Sequence, residues 1–396
     1  MVKFAHLSDC HLGGWRQEEL QKLNFDSFCK VLETCVNEKV DFILVSGDLF
    51  DSAYPPIEIL KETFAQFKKL KENNIPVFLI AGSHDFSVSG KTFLDVLEKA
   101  GFCKNVGNSD VVSDDKIVLT PTFFKEVAIY GYPGKKSGME IEDLKKTCFQ
   151  GVHPFTIFMI HTTIKDVIGT LPIEFIEKEK LPLANYYAMG HVHQVFESCQ
   201  GPTHFIYPGP TFPNNFQELA DLKCGSFQIV EENSGKIKYR NIKILLKDVV
   251  FLEIEIDNGP TATQLIISEI DKLNLADKIF LIKIKGTMKT GKTGDIHFNE
   301  IEDFVKKKGA YSFLRNISSV KMIEADFIET SNENVENIEK KIIGEYAVRN
   351  PADFNKFLPQ LMNALSTEKN EDEKSVIFEE RLMSELKACL GLSEIL

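Results

Sequence analysis

The chain has 396 residues, of which 43% are hydrophobic and 26% charged, and 46 Lys+Arg against 58 Asp+Glu leave a net charge of −12. This composition excludes a disordered, fibrous or collagen-like chain, and at roughly 150 residues per domain the length implies two or three domains. The acidic balance excludes a surface that attracts nucleic acid everywhere, so any field that holds phosphate must be local or come from bound cations.

In chain order, Met1-Val2-Lys3-Phe4-Ala5-His6 opens directly into a strand-like segment. No apolar run reaches the roughly 18 residues of a membrane span, so the expectation is a cytoplasmic protein without signal segment or membrane contact. Apolar runs predict strands at Val2–Leu7, Phe42–Ser46, Val77–Ala81, Val127–Tyr130, Thr156–Ile160, Tyr186–Met189, His204–Tyr207 and Phe227–Val230. Helices are predicted at Glu18–Cys35 and Ile57–Glu72, the latter with Ile57, Leu60, Phe64, Phe67 and Leu70 at three- and four-residue intervals. This alternation describes an α/β layered domain over 1–245. The segment 246–335 predicts a small α+β domain: strand Val249–Ile256, helix Thr263–Leu273, strand Lys278–Lys285, helix Asn299–Lys308 and strand Val320–Ile328. A linker and helical tail fill 336–396. Phe354, Phe357, Leu358, Leu361, Met362 and Leu365 form one apolar stripe there, and Ile377, Leu382, Met383, Leu386 and Leu390 a second. Eight cysteines without a Cys-x-x-Cys pair read as reduced thiols rather than a zinc site.

Five of the strands run straight into a His, Asp or small polar residue: Asp9-Cys10-His11, Gly47-Asp48, Gly82-Ser83-His84-Asp85, His161, and Gly190-His191-Val192-His193. Ligands of α/β sheets gather at carboxyl strand ends, so the five segments can share one crevice. Any one of them alone could be a helix cap or a core histidine. Together, imidazole and carboxylate without thiolate suit manganese, iron or zinc, and a pair of such ions suits phosphoester hydrolysis. His6, His153, His204 and His297 read as structural.

The pattern D-x-H, G-D, G-x-H-D, H, G-H-x-H resembles the calcineurin-like metallophosphoesterase superfamily. The opening FAHLSDCHLGG with GDLFDSAYPP is similar to the SbcD-type, or meiotic-recombination-eleven, nucleases of DNA double-strand-break repair. The resemblance implies a four-layer αββα sandwich, a small α+β capping domain that closes over DNA, and a C-terminal helical tail. It implies two Mn2+ per chain, with iron or zinc as alternatives. Asp9, His11, Asp48 and His193 would hold the first ion, and Asp48, His161 and His191, with Ser83, the second. His84 would face the scissile phosphate. The family usually has Asn where Ser83 stands, and many relatives have His where Asp51 stands. Implied partners are DNA ends and an SMC-like coiled-coil ATPase. Phe354, Phe357, Leu361, Leu382 and Leu386 are the candidate docking residues for the ATPase. A homodimer would form through Ile57–Glu72 and Lys91–Ala100, with Phe64, Phe67, Phe93 and Leu97 as contacts. The implied activity is double-strand exonuclease and single-strand endonuclease. The rival readings are a phosphatase acting on phosphoproteins or small phosphodiesters, and a DNA-end scaffold with a degraded metal site.

Lys283, Lys285, Lys289 and Lys292 lie in the densest basic stretch and are candidate phosphate contacts. Gly286-Thr287-Met288-Lys289-Thr290-Gly291-Lys292-Thr293 also satisfies the G-x-x-x-x-G-K-[ST] pattern of a phosphate-cradling loop. The lysine-interrupted strand before it and the Gly294-Asp295 after it oppose that reading.

Overall fold

The computed structural model describes residues 1–86, 92–107, 109–113, 116–169, 173–322, 357–367, 369, 373 and 375–390. Residues 1–322 form one compact unit and 323–396 another. Phe354, Lys91 and positions 323–328 of the last predicted strand lie outside the described residues.

Taken in order, the elements of the first unit are β1 (Val2–Leu7), α1 (Glu18–Asn37), β2 (Phe42–Ser46), α2 (Ile57–Glu72), β3 (Val77–Ile80), α3 (Leu94–Lys99) and β4 (Lys104–Asn105). There follow β5 (Ser109–Ser113), β6 (Lys116–Leu119), β7 (Thr122–Phe124), β8 (Val127–Tyr132), α4 (Glu140–Leu144), β9 (Thr147–Phe149), β10 (Phe155–His161) and α5 (Lys165–Ile168). This first set closes with β11 (Tyr186–Gly190), β12 (Val195–Gln200), β13 (Thr203–Pro208), α6 (Phe216–Leu222), β14 (Gly225–Asn233) and β15 (Lys236–Ile244). A second set comprises β16 (Val249–Glu255), α7 (Gly259–Asp271), β17 (Ile279–Met288), α8 (Phe298–Lys307) and β18 (Ser312–Met322).

Two six-stranded sheets stack face to face, in the orders β15-β14-β1-β2-β3-β4 and β12-β13-β11-β10-β8-β7. Their central strands are parallel and buried on both faces, which is why they read as continuous apolar runs. Alternate side chains serve different layers. Phe4, Phe42, Leu44 and Ile80 meet Ile129, Ile157, Met159 and Ala188 between the sheets. Ala5, Leu7, Ile43 and Val45 instead face Phe28, Val31, Phe67 and Leu97 of the helices. Beyond the second sheet, Tyr130, Phe158 and Met189 pack under Ile141, Leu144 and Ile164. The order helices, sheet, sheet, helices is the four-layer sandwich. Its last layer is thin, made of one-turn helices and the small sheet β5-β6-β9.

The segment that the resemblance reads as a cap forms the parallel sheet β16-β17-β18, with α7 and α8 on one face around Ile266, Ile270, Ile282, Ile301 and Val305. On its other face Ile279, Leu281 and Leu314 pack with Trp15, Leu20, Leu23, Phe212 and Leu219 of the sandwich. In the second unit the described residues form two helices, Leu358–Leu365 and Ser375–Cys389.

Three expectations need correction. The last cap strand begins at Ser312 rather than Val320. Among the described residues it is an edge strand paired on one side only, with a bulge opposite Lys283/Lys285, so its polar Arg315, Asn316 and Ser318 conceal it. Second, Ile57 does not join the buried stripe of α2 and is 75% exposed. Third, Phe67 and Leu97 cannot meet a second copy, because both are buried in the core beneath β1–β3, where Phe64 and Phe93 also pack.

Candidate metal centre

After β1 and β2 the chain continues side by side: Asp9 N–H donates to Gly47 O (3.1 Å), His11 N–H to Asp48 O (3.0 Å) and Leu12 N–H to Leu49 O (3.0 Å). Asp9, His11, Asp48 and His191 all adopt positive φ, at 52°, 43°, 51° and 90°. Such backbone costs a non-glycine residue about 1–2 kcal/mol and persists only where surroundings enforce it. Here the enforcers are visible. Asn24 Nδ2 of α1 donates to Cys10 O (2.8 Å), between two site residues. The buried Asp85 carboxylate accepts the N–H groups of Gly82 (2.9 Å), Leu49 (3.3 Å) and Phe50 (3.0 Å), tying the β3 turn to the β2 turn. Asp9 accepts the His191 N–H (3.0 and 3.2 Å) and Asp48 Oδ1 the His84 N–H (2.8 Å), so two carboxylates pin the other two motifs.

Four of the imidazoles are held by an acceptor that carries no hydrogen, which assigns the proton of each. His11 Nδ1–H donates to Asp51 Oδ1 (3.1 Å), His161 Nδ1–H to Ser46 O (2.9 Å), His193 Nδ1–H to Glu218 Oε1 (2.9 Å) and His84 Nδ1–H to Asp51 O (2.8 Å). In the neutral rings the lone pairs are therefore on Nε2. Those nitrogens converge on oxygens and on each other. His11 Nε2 and His193 Nε2 are 3.1 Å apart, His193 Nε2 is 3.6 Å from Asp9 Oδ1, and Asp48 Oδ2 stands 3.6 Å from His11 Nε2 and 3.2 Å from His161 Nε2. His161 Nε2 is buried without a hydrogen-bond partner. With the rings neutral, lone pairs face one another and carboxylates in a buried site that favours positive charge among them, so this donor set fits divalent metal.

The electrostatics show the same demand for positive charge. Burial pushes the Asp9 and Asp48 carboxyls up, but the imidazoles of His193 and His161 beside them reverse this and hold both well below the usual carboxylate range. Burial opposes charge on His161 and His193 as well, yet Asp48 raises the first to about 9, and Asp9 with Glu218 the second to about 10. Burial and the Asp48 charge raise Asp85 to about 7.

Three clusters of donor atoms lie within 4.8 Å: Asp9, His11 and His193; Asp9, Asp48 and His161; and His11, Asp48 and His84. Six of the eight predicted catalytic and metal-site residues are thus brought together. Of the other two, His191 stacks edge-on to His161 with ring centroids 5.1 Å apart, and Ser83 sits half-buried on the turn after β3. Sequence reasoning missed Asn24 and Glu218, and gave Asp85 no role beyond its place in the third motif. The Asn215-x-x-Glu218 spacing of a capping box was a signal for Glu218.

The predicted basic stretch is occupied within the cap: Lys283 and Lys285 both pair with Glu253 (3.5 and 2.6 Å) and Lys289 with Asp257 (3.0 Å), while Lys292 is exposed. The G-x-x-x-x-G-K-T loop is not a phosphate cradle. The Lys292 N–H already donates to Asp295 Oδ2 (2.8 Å), and only the one-turn helix Thr293–Asp295 follows. In the second unit Phe357, Leu361, Leu382 and Leu386 are half-buried, while Met362, Leu365, Val376, Ile377 and Met383 are exposed.

Residues 2–195 match the calcineurin-like phosphoesterase family model. The DNA double-strand break repair protein Mre11 of Methanocaldococcus jannaschii is 28% identical over 269 residues, covering 64% of this chain and 69% of that protein. The protein of the same name from Archaeoglobus fulgidus is 24% identical over 412 aligned positions, covering 97% of this chain and 85% of that protein. The uncharacterized metallophosphoesterase YhaO of Bacillus subtilis is 29% identical over 256 residues, 60% of this chain and 59% of that protein.

Proposed function

Because residues 2–195 belong to the calcineurin-like phosphoesterases, we propose that this dinuclear metal-dependent phosphodiesterase is a Mn2+-dependent DNA nuclease that processes DNA ends in double-strand-break repair. The observation that carries this reading is Asp48 Oδ2, which stands 3.6 Å from His11 Nε2 and 3.2 Å from His161 Nε2 and so could serve two ions at once. Asp9, His11, Asp48 and His193 would hold the first ion, and Asp48, His161 and His191, together with Ser83, the second. When bound, such a pair activates water and stabilises the attacking and leaving oxygens of a phosphoester.

The side chains do the rest. Asp51 and Glu218 fix the His11 and His193 rings from behind, and Asp48 Oδ1 holds the backbone of His84. The His84 side chain is half exposed, and with Nδ1–H on Asp51 O its Nε2 is left for a phosphate or leaving oxygen. DNA as substrate is supported by the name that the archaeal relatives carry and by a cap seated on the same unit as the site. The cap lysines exchange their carboxylate partners for phosphates at little cost, since exposed ion pairs are worth about 0–1 kcal/mol. The tail helices, through Leu361, Leu382 and Leu386, dock a coiled-coil ATPase, and the protein works as a homodimer.

The test is cleavage of end-labelled duplex DNA in Mn2+, beside p-nitrophenyl phosphate and a phosphoserine peptide. Cleavage that Mn2+ supports and a chelator stops is expected. Turnover of the peptide or the small ester with DNA left intact would replace this reading by that of a phosphatase. Removal of 354–396 is expected to abolish ATPase association and leave cleavage of short DNA unchanged.

A further inference from the structure

We infer that Glu218 is the positioning residue of the first metal ion, and that through it the affinity for this ion depends on how the cap sheet seats on α6. The inference rests on the two-metal reading above.

Both carboxylate oxygens of Glu218 are engaged. Oε1 accepts His193 Nδ1–H (2.9 Å) and a second bond from Asn215 Nδ2, and Oε2 accepts the Asn214 N–H (2.8 Å). The Glu218 N–H in turn donates to Asn215 Oδ1 (3.0 Å). A carboxylate fixed in this way sets the plane of the His193 ring, and with it the direction of Nε2 toward His11 Nε2 and Asp9 Oδ1. The next residue, Leu219, is buried with Ile279, Leu281 and Leu314 of the cap sheet, and the Phe216 ring meets Phe251 of β16 edge-on with centroids 6.4 Å apart.

The same segment reaches the other anchor. Asn214 Nδ2 donates to Asp51 Oδ1 (3.3 Å), the oxygen that receives His11 Nδ1–H. Trp15 Nε1–H, from the core shared with the cap, donates to Pro213 O (3.0 Å). At seven residues α6 is too short to hold its own place, so its neighbours set where it lies. A displacement of the cap is therefore passed to the anchors of His193 and His11. His161 is exempt, because its anchor is Ser46 O at the end of β2.

The experiment counts and ranks Mn2+ ions bound to the full chain by calorimetry and by the Mn2+ spin-resonance signal, so that no turnover enters the readout. The unaltered protein is expected to bind two ions. E218A is expected to lower the affinity for one of them about 10–100-fold, as loss of an outer-sphere partner does, and to leave the other unchanged. E218Q, which keeps an acceptor oxygen for Nδ1–H, is expected to recover part of the loss. F251A, in the cap and away from every ligand, is expected to weaken the same ion about threefold or more. If E218A and E218Q bind both ions as the unaltered protein does, or weaken both equally, the positioning role is overturned. If F251A changes nothing, the coupling to the cap is overturned. If the unaltered protein binds no Mn2+ at all, the two-metal reading itself has failed.

Discussion

Gly47 ends the β2 turn at φ +89°, and a Cβ placed on it would lie 2.2 Å from His161 Nδ1 and 2.7 Å from Cγ of the same ring. Carbon contacts are comfortable from about 3.5 Å, so in Gly47→Ala the imidazole must retreat by about 1.3 Å. The His161 side chain is fully buried and has no room to do so without breaking its bond to Ser46 O. The left-handed backbone costs an alanine a further 1–2 kcal/mol or so. A ring displaced by more than 1 Å carries Nε2 out of reach of its ion, and misplacement on that scale costs about 100-fold in rate. Gly201 is the control: its φ of +61° imposes a similar backbone penalty on alanine, but nothing lies within 4 Å of its Cβ position. Both variants are expected to lose stability in thermal unfolding. Only Gly47→Ala is expected to lose the second Mn2+ by calorimetry and about 100-fold in cleavage of labelled DNA. Cleavage by Gly47→Ala within threefold of the unaltered protein would refute the placement of His161 as a ligand.

Asp48→Ala is expected to bind almost no Mn2+ and to cut nothing, whereas His84→Ala keeps both ions while turnover falls about 10²–10⁴-fold; equal metal loss in the two would make His84 a ligand. Ser83→Asn, which supplies an amide oxygen, should lower the Mn2+ concentration for half-maximal cleavage roughly tenfold, about 1.4 kcal/mol, and an unchanged value would mean that water already completes the shell. His6 is buried against Tyr186, and burial lowers it to about 3. The unfolded chain therefore takes up a proton near pH 6.5 that the folded chain refuses until about pH 3, so stability is full above pH 6.5 and falls through the window below it. The slope from this group is at most about 1.4 kcal/mol per pH unit. Urea unfolding of metal-free protein at pH 7 and pH 5 should show the drop, and His6→Gln should flatten it; an equal drop in the variant would assign it elsewhere.

The candidate ligands were legible because a two-metal site would need short polar motifs at strand ends, and Asp9, Asp48, His161 and His193 stand out against apolar strands. Their supports were not, because they act across the sheet and carry no motif of their own. Asn24 and Ser27 occupy the buried stripe of α1 among Leu20, Leu23 and Phe28, which marks a helix that faces backbone rather than plain core. Periodicity told which residues of α2 and α3 leave water but not what covers them: Phe67 and Leu97 serve the core, where an interface was expected. Charge spacing likewise exposed the cap lysines and hid Glu253 and Asp257, which reach them only through parallel strand register and the turn beyond. The cap boundary at 246 is a composition shift, whereas the seam of Trp15, Leu219 and Leu281 joins residues more than 250 apart.

Asp9 and Asp48 each grip the backbone of a neighbouring motif as well as facing the donor cluster, and Asp85 clamps two turns with no metal involved. The site's backbone is thus tied by protein groups, unlike that of a zinc finger, whose metal is also its folding energy. Stripping the ions should be reversible, and refilling is an exchange among whatever divalent cations surround the chain. With affinity following the general order of the transition metals, the ion that such a site takes would depend on supply in the surrounding medium as well as on its ligands.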